Sequence, residues 1–400
     1  MERRQPFISR VRLQNYKSIA SCDVRLGPLT ILIGPNSSGK SNFLDALAFL
    51  GRAVETTPSQ AIRERGGLAA IIRSVPPLTD SLEIQVEVAL PWSGDWARGT
   101  YGFKVRDKPR EGTFEIYQET CELVTPDQTL QFEVRDGFAH DYVRKLPRTL
   151  QPKVEPDRLY LQSASVITPG YALLSRNLGN MRFYNLSNEV LRETQPAIAR
   201  PILGTRGEQL ASVLATLSVL RPRHKERLVN YLQAIVPGVT GVDHLDVGSY
   251  LTIRFTMSTG VDGQDVAFTT QGMSDGTIRA TGVLATLFQS SVLDETVPLV
   301  GIEEPEIALH PAAAGVLFDA LTEASDRVQV IATSQSPDLL DRDDLDVDIV
   351  RAVAMENGIT TIGEVDNASR RTVQEKLYTV GELMRGNQIT PSDPAAQTEE

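Results

Sequence analysis

Gly34-Pro35-Asn36-Ser37-Ser38-Gly39-Lys40-Ser41-Asn42 is the stretch on which the fold turns. It fits the pattern G-x-x-x-x-G-K-[ST], and its flanks carry as much weight as the match. Before it, Leu29–Ile33 is a short apolar run that stops at Gly34. After it, Phe43, Leu44, Leu47 and Leu50 recur at helical spacing. A strand, a Gly-rich turn and an amphipathic helix, in that order, make a cradle for phosphate. The glycines let backbone N–H groups converge on an anion, and the helix N-terminus adds positive potential. Lys40 is then expected to reach the β- and γ-phosphates of ATP, and the Ser41 hydroxyl to ligate Mg²⁺.

Three segments far along the chain complete the pattern. Residues 297–302 form an apolar run that ends in Glu303 and Glu304. Two adjacent acids at a buried strand end are costly unless a cation or proton offsets them. Glu303 is therefore expected to hold the metal and Glu304 to polarise an attacking water. Taken alone, the same pair fits an exposed turn before Pro305. Upstream, Ser274-Asp275-Gly276-Thr277 precedes an apolar helix over 278–288. A serine there reads first as a helix N-cap, and the same geometry suits a phosphate. Downstream, 328–332 is an apolar run leading into Thr333-Ser-Gln335-Ser-Pro337, a polar turn from which a side chain can sense a γ-phosphate.

The order of these segments resembles the ABC-type ATPase heads of the SMC and RecF kind. Lys17-Ser18, within Leu13-Gln-Asn-Tyr-Lys-Ser-Ile19, looks like that group's N-terminal strand motif. More narrowly, GPNSSGKSN, SDGT, IEEPEIALHP and TSQSPDLLD resemble prokaryotic AAA-type ATPases related to the overcoming-lysogenization-defect proteins, many of which serve in anti-phage systems. The resemblance implies an α/β head co-folded from both chain ends. It implies that Ser274, Asp275 and Gly276 close onto ATP held by a second copy, with residues 305–311 as the dimer-facing loop. Lys17 is implied to assist nucleotide binding. Glu303 departs from the Asp general in ABC heads, and Gln335 stands where many relatives have His. A glutamine can donate to a phosphate but takes no proton, so the departure bears on turnover rate. The Gln that such heads place between their lobes has two candidates, Gln131 and Gln162.

Between the motifs, the chain divides by pattern. Residues 1–55 and 246–375 supply the two halves of the head. Residues 56–165 read as an antiparallel β lobe, since Leu82, Ile84, Val86, Val88 and Leu90 alternate with polar residues. Residues 166–245 read as a helical insertion, with Leu210, Val213, Leu214 and Leu217 on one stripe. Residues 376–400 read as a frayed tail.

Composition limits the function classes. Of 400 residues, 41% are hydrophobic and 23% charged, an ordinary globular mixture. No apolar run reaches the ~18–20 residues of a membrane span, and no signal-peptide pattern opens the chain, so the expectation is cytoplasmic, without membrane contact. Cys22 and Cys121 make neither a disulfide framework nor a zinc hook. A net charge of −11 argues against an extended phosphate-binding surface. Local basic clusters remain for possible DNA contact, at Arg3/Arg4/Arg10/Arg12, Arg144/Lys145/Arg148 and Arg221/Arg223/Lys225/Arg227. The leading expectation is a Mg-ATP-dependent, homodimerising ATPase that switches a DNA-transaction or anti-phage complex. With too few residues after Gln335 for a fused TOPRIM nuclease, any cutting is expected on a separate effector. A transport-coupled ATPase, a repair ATPase without a defence role and a small-molecule kinase are the alternatives. A kinase needs neither the Ser-Asp-Gly turn nor the acid-ended strand.

Overall fold

A computed structural model describes residues 5–74, 76, 78–143, 151–199, 201–258 and 264–392. The chain opens with a hairpin of β1 (Ile8–Tyr16) and β2 (Ile19–Arg25). β3 (Leu29–Ile33) then runs through the Gly-rich turn into α1 (Lys40–Glu55). After α2 (Pro58–Glu64) comes a meander of β4 (Ser81–Trp92), β5 (Asp95–Lys108), β6 (Thr113–Val124), β7 (Thr129–Arg135) and β8 (Phe138–Asp141). Helices α3 (Tyr160–Ser165) and α4 (Pro169–Gly179) lead to β9 (Arg182–Tyr184), α5 (Asn188–Arg192) and β10 (Gln195–Pro196). Next are α6 (Leu210–Leu220), α7 (Pro222–Ile235), β11 (Val239–Val247), β12 (Tyr250–Ser258) and β13 (Asp265–Thr269). The C-terminal part contains α8 (Asp275–Phe288), α9 (Ser290–Leu293), β14 (Leu299–Glu303), α10 (Ala314–Ser325) and β15 (Gln329–Ser334). It closes with β16 (Val350–Glu356), β17 (Ile359–Glu364), α11 (Asn367–Gln374) and α12 (Val380–Arg385).

Thirteen strands join in one sheet, in the order β8-β7-β6-β5-β4-β1-β2-β17-β16-β3-β15-β14-β9. Its centre, β16-β3-β15-β14-β9, is parallel throughout. The arm from β2 through β8 is antiparallel, and β17 connects the two regions, antiparallel to β16 and parallel to β2. A smaller sheet, β10-β12-β11 with β13 on β12, sits in the middle of the chain. The fold is thus the expected α/β architecture. The antiparallel region, however, is continuous with the central sheet, and β1 and β2 belong to it.

The burial patterns explain these assignments. Every residue of β3 and β15 is buried. Leu29, Ile31 and Ile33 face one core, and Leu32 faces the other. Strands covered on both faces read as unbroken apolar runs, as here. β4 instead alternates, with Leu82, Ile84, Val86 and Val88 buried in the core they share with α1 and α4 and the intervening residues partly exposed. Each such buried aliphatic side chain contributes about 1.5–3 kcal/mol.

Two stretches differ from the sequence expectation. β9 lies inside the segment read as a helical insertion, yet it pairs with β14 and extends the parallel centre. Part of the segment read as a frayed tail is folded. Thr379 and Glu382 form a capping box on α12, and the Ser392 N–H donates to the Glu364 carbonyl. Residues 393–400 lie outside the described residues.

Candidate nucleotide-binding site

At the end of β3 the backbone turns through Gly34 (φ 156°), Ser37 (φ 61°) and Gly39 (φ 105°) before α1 begins. A Cβ on Gly39 would lie 2.1 Å from Thr360 Oγ1, so only glycine fits both the dihedral and the space. Pro35, Asn36 and Ser37 are exposed, while Ser38 and Lys40 are buried. Lys40 Nζ folds over the loop and donates to the carbonyls of Gly34 (2.8 Å) and Pro35 (2.9 Å). Burial lowers its pKa, against the opposing pull of Glu304, Glu306 and Glu303.

β14 brings the two acids, and β15 brings Gln335, to the same edge. Ser41 Oγ donates to Glu303 Oε2 at 2.6 Å, joining residues 262 positions apart. Gln335 Nε2 donates to Glu304 Oε2 at 3.0 Å. Glu304 occupies the left-handed region at φ 43°, where a non-glycine residue is strained by roughly 1–3 kcal/mol. Two clamps hold it. Its N–H donates to the Thr333 carbonyl and Oγ1, both at 3.1 Å, and its carbonyl accepts from Arg279 Nη2 at 3.0 Å. Arg279 is buried in α8, and the same guanidinium also donates to the carbonyls of Glu303 (3.2 Å) and Leu186 (2.6 Å). Burial lowers its pKa, with Glu306 and Glu304 opposing.

The residues present fit a Mg-nucleotide. Ser38 Oγ is buried in the loop without a hydrogen-bond partner, an acceptor and donor held ready for a ligand. Gly34 and Gly39 let the loop lie close against β16 and β17, where a Cβ would stand 2.0 Å from the Val353 carbonyl and 2.1 Å from Thr360 Oγ1. Ser41 and Glu303 present the hard oxygen donors that Mg²⁺ takes alongside phosphate oxygens.

The remaining candidates are distributed as follows. Ser274 Oγ accepts from the Thr277 N–H at 3.2 Å, so it caps α8. Asp275 pairs with Arg192 at 2.7 Å. A Cβ on Gly276 would meet the Ala308 carbonyl at 2.3 Å, so glycine lets α8 begin against the loop after the acids. Ser274 and Gly276 line a recess of about 460 Å³ with Ala308, Leu309 and His310; none of residues 34–42 lines it. Lys17 does not point at the loop. Its ammonium pairs with Asp45 at 2.6 Å, and Ser18 is the residue of that motif that reaches the site. Ser18 Oγ accepts from Asn42 Nδ2 (2.7 Å) and shares a hydrogen bond with Thr360 Oγ1 (2.7 Å), which donates to the Ser38 carbonyl. Lys17 has φ 49°, in the tight turn between β1 and β2.

Neither inter-lobe Gln candidate reaches the site. Gln131 lies on β7, in the antiparallel arm, and Gln162 donates to the carbonyls of Val54 and Thr56 at the end of α1. Asn185 instead shares a cleft of about 600 Å³ with Glu303. It follows β9, whose Tyr184 pairs with Ile302 of β14. Sequence reading missed it because β9 has only three residues. The 221–227 cluster is largely neutralised, with Arg221 on Asp294, Lys225 on Asp243 and Arg227 on Glu323. Arg10 and Arg12 pair with Asp23 and Glu87. Arg3, Arg4 and the 144–148 cluster lie outside the described residues.

Comparison with known proteins bears on the fold and the family. The family model described as "AAA domain, putative AbiEii toxin, Type IV TA system" matches residues 29–341. A DNA replication and repair protein RecF from Corynebacterium jeikeium is 24% identical over 237 residues, 57% of this chain and 54% of that protein. RecF from Magnetococcus marinus is 37% identical over 62 residues, 15% of this chain and 16% of that protein. The chain therefore spans about half, or less, of the length of these curated relatives. Among solved structures, an SMC head bound to the C-terminal winged-helix domain of ScpA superposes with a TM-score of 0.53 at 14% identity, covering 89% of this chain and 97% of that one. The SMC head with coiled coil and joint from Pyrococcus yayanosii gives 0.51 at 10% identity, covering 93% and 100%. The fold is that of an SMC-type ABC ATPase head.

Proposed function

The chain belongs to the AAA-domain family whose model spans residues 29–341, and from that premise we propose that it is an ATPase. On this reading it binds Mg-ATP, dimerises around it and switches a DNA-transaction or anti-phage complex. The observation that carries the reading is the meeting of Ser41 with Glu303, beside Glu304 and Gln335, at one edge of the parallel strands. Bound Mg-ATP supplies a phosphoanhydride and the divalent charge that polarises it. Lys40 would exchange its two loop carbonyls for phosphate oxygens, and Ser41 and Glu303 would hold the ion. Glu304 orients water and accepts its proton, while Gln335 fixes the Glu304 carboxylate.

Ser274 caps a helix whose start is open to a recess without loop residues, which supports closure onto a second copy rather than onto its own loop. The resemblance to overcoming-lysogenization-defect ATPases, and a family description naming a type IV TA system, support the defence setting with a separate effector such as a nuclease. The RecF relatives favour the second reading, a DNA repair ATPase without a defence role. Among the described residues no helix is long and apolar enough to cross a membrane, in keeping with a cytoplasmic role. Calorimetry with Mg-ATP tests the core of the proposal. The parent should bind and Lys40→Ala should not, and equal binding by both would remove the phosphate-loop assignment. Association with DNA and ATP, assayed beside co-purification of a nuclease, separates the two settings.

A further inference from the structure

Glu306 has no assigned task, yet its placement is costly. It lies in the turn after the acid pair and is only 8% exposed. Oε1 accepts from Ser334 Oγ at 2.6 Å, but Oε2 is buried with no hydrogen-bond partner. Leaving a buried acceptor unsatisfied costs about 1–3 kcal/mol. Burial raises the Glu306 pKa, and the hydrogen bond from Ser334 opposes that shift. A side chain serving packing alone would be better apolar, so the hydrogen bond it does make calls for a role.

That bond sits at a junction. Ser334 ends β15, and its Oγ also accepts from the Ser336 N–H at 3.0 Å. Between these two serines stands Gln335, whose amide holds Glu304 Oε2. Glu304, in turn, lies two residues before Glu306. The carboxylate thus closes a ring: Glu306 to Ser334, along the backbone to Gln335, across to Glu304, and back along the turn.

Resting on the ATPase reading, we propose that Glu306 is a positioning residue for hydrolysis, which anchors Ser334 and thereby fixes Gln335 against Glu304. It touches no reacting atom; it sets the geometry of a residue that does. Misplacing a catalytic group by about 1 Å can cost on the order of 10²-fold in rate.

Single-turnover and steady-state ATP hydrolysis of the parent, Glu306→Ala, Glu306→Gln, Gln335→Ala and the Glu306→Ala/Gln335→Ala double variant test this. Nucleotide binding is followed in parallel with a fluorescent ATP analogue. Glu306→Ala should lower kcat by about 10- to 100-fold while KM and ATP affinity stay unchanged. Glu306→Gln keeps an oxygen for Ser334 and should recover most of the rate. Adding Gln335→Ala to Glu306→Ala should cost little more, since both break one ring. If Glu306→Ala does not fold, Ser334→Ala cuts the same link from the other side and must reproduce the kcat loss. A parent that binds Mg-ATP without turning it over overturns the ATPase reading itself. An active parent with an unaffected Glu306→Ala, with Glu306→Gln as impaired as the alanine, or with additive losses overturns the role of Glu306 alone.

Discussion

Gly39→Ala puts the loop geometry to a quantitative test. Gly39 sits at φ 105°, where an L-residue is strained by about 1–3 kcal/mol. The added Cβ would also stand 2.1, 2.7 and 2.9 Å from Thr360 Oγ1, Cγ2 and Cβ. Thr360 is buried on β17 and cannot rotate all three atoms away. It must shift, and with it go its hydrogen bonds to the Ser38 carbonyl and Ser18 Oγ. At about 0.5–1.5 kcal/mol each, the total reaches roughly 2–6 kcal/mol. If the loop keeps its shape, this appears as lost stability. If it opens, the loss appears in binding, and at 1.4 kcal/mol per decade the middle of the range is on the order of 10³-fold in ATP affinity. Thermal unfolding and calorimetry together capture both routes. Thr360→Gly removes all three crowding atoms but leaves the dihedral strain, so the double variant should be less impaired than the two single losses combined. Unchanged melting temperature and unchanged ATP affinity in Gly39→Ala would refute the reasoning.

Glu304→Gln should bind ATP normally but lose on the order of 10²-fold or more in single-turnover hydrolysis, accumulating as a nucleotide-locked dimer; parental turnover would place the base elsewhere. Ser274→Arg should spare ATP binding and abolish ATP-dependent dimerisation, and a normal rise in scattering mass on adding ATP would contradict closure across copies. Glu119 is buried on β6 of the antiparallel arm, and burial raises its pKa from 4.5 to about 7. Between these values the folded chain holds a proton that the unfolded chain releases, so its contribution to stability falls as pH rises through that window and levels off above it. Glu119→Gln should remove that part of the slope in denaturant titrations, and an unchanged slope would disprove it.

What was legible in the sequence follows from how each residue is surrounded. β3 and β15 are buried on both faces, so their apolar runs stood out, and the Gly-rich turn carried its own pattern. β9 was invisible because three residues show no period, and its place depends on pairing with a strand over a hundred residues away. The cleft that Asn185 shares with Glu303 was hidden for the same reason, since it depends on where β9 pairs. Arg279 did leave a trace. A single arginine in a helix that is otherwise buried from Thr277 to Phe288 must find acceptors or be excluded. The direction of its guanidinium, toward three carbonyls of two other segments, could not be read from the chain.

Those carbonyls bear on how the parts of the site could act together. Residues 303–308 are held from three sides: by Ser41 of the loop, by Thr333 of β15 and Gln335 just after it, and by Arg279 of α8, against which Gly276 lets the turn pack closely. α8 is also the helix capped by Ser274. A partner's nucleotide drawing on that cap would load the helix along its axis, and Arg279 would pass the displacement to the carbonyls of Glu303 and Glu304. Since Glu304 is strained and held by only a few hydrogen bonds of about 1 kcal/mol each, a small shift suffices to change its orientation toward water. On the proposed function, closure and hydrolysis would then be coupled through one buried guanidinium. Arg279→Met, which fills the space without donating, should leave ATP-driven dimerisation intact and uncouple it from turnover. A variant that both dimerises and hydrolyses like the parent would show that the coupling runs elsewhere.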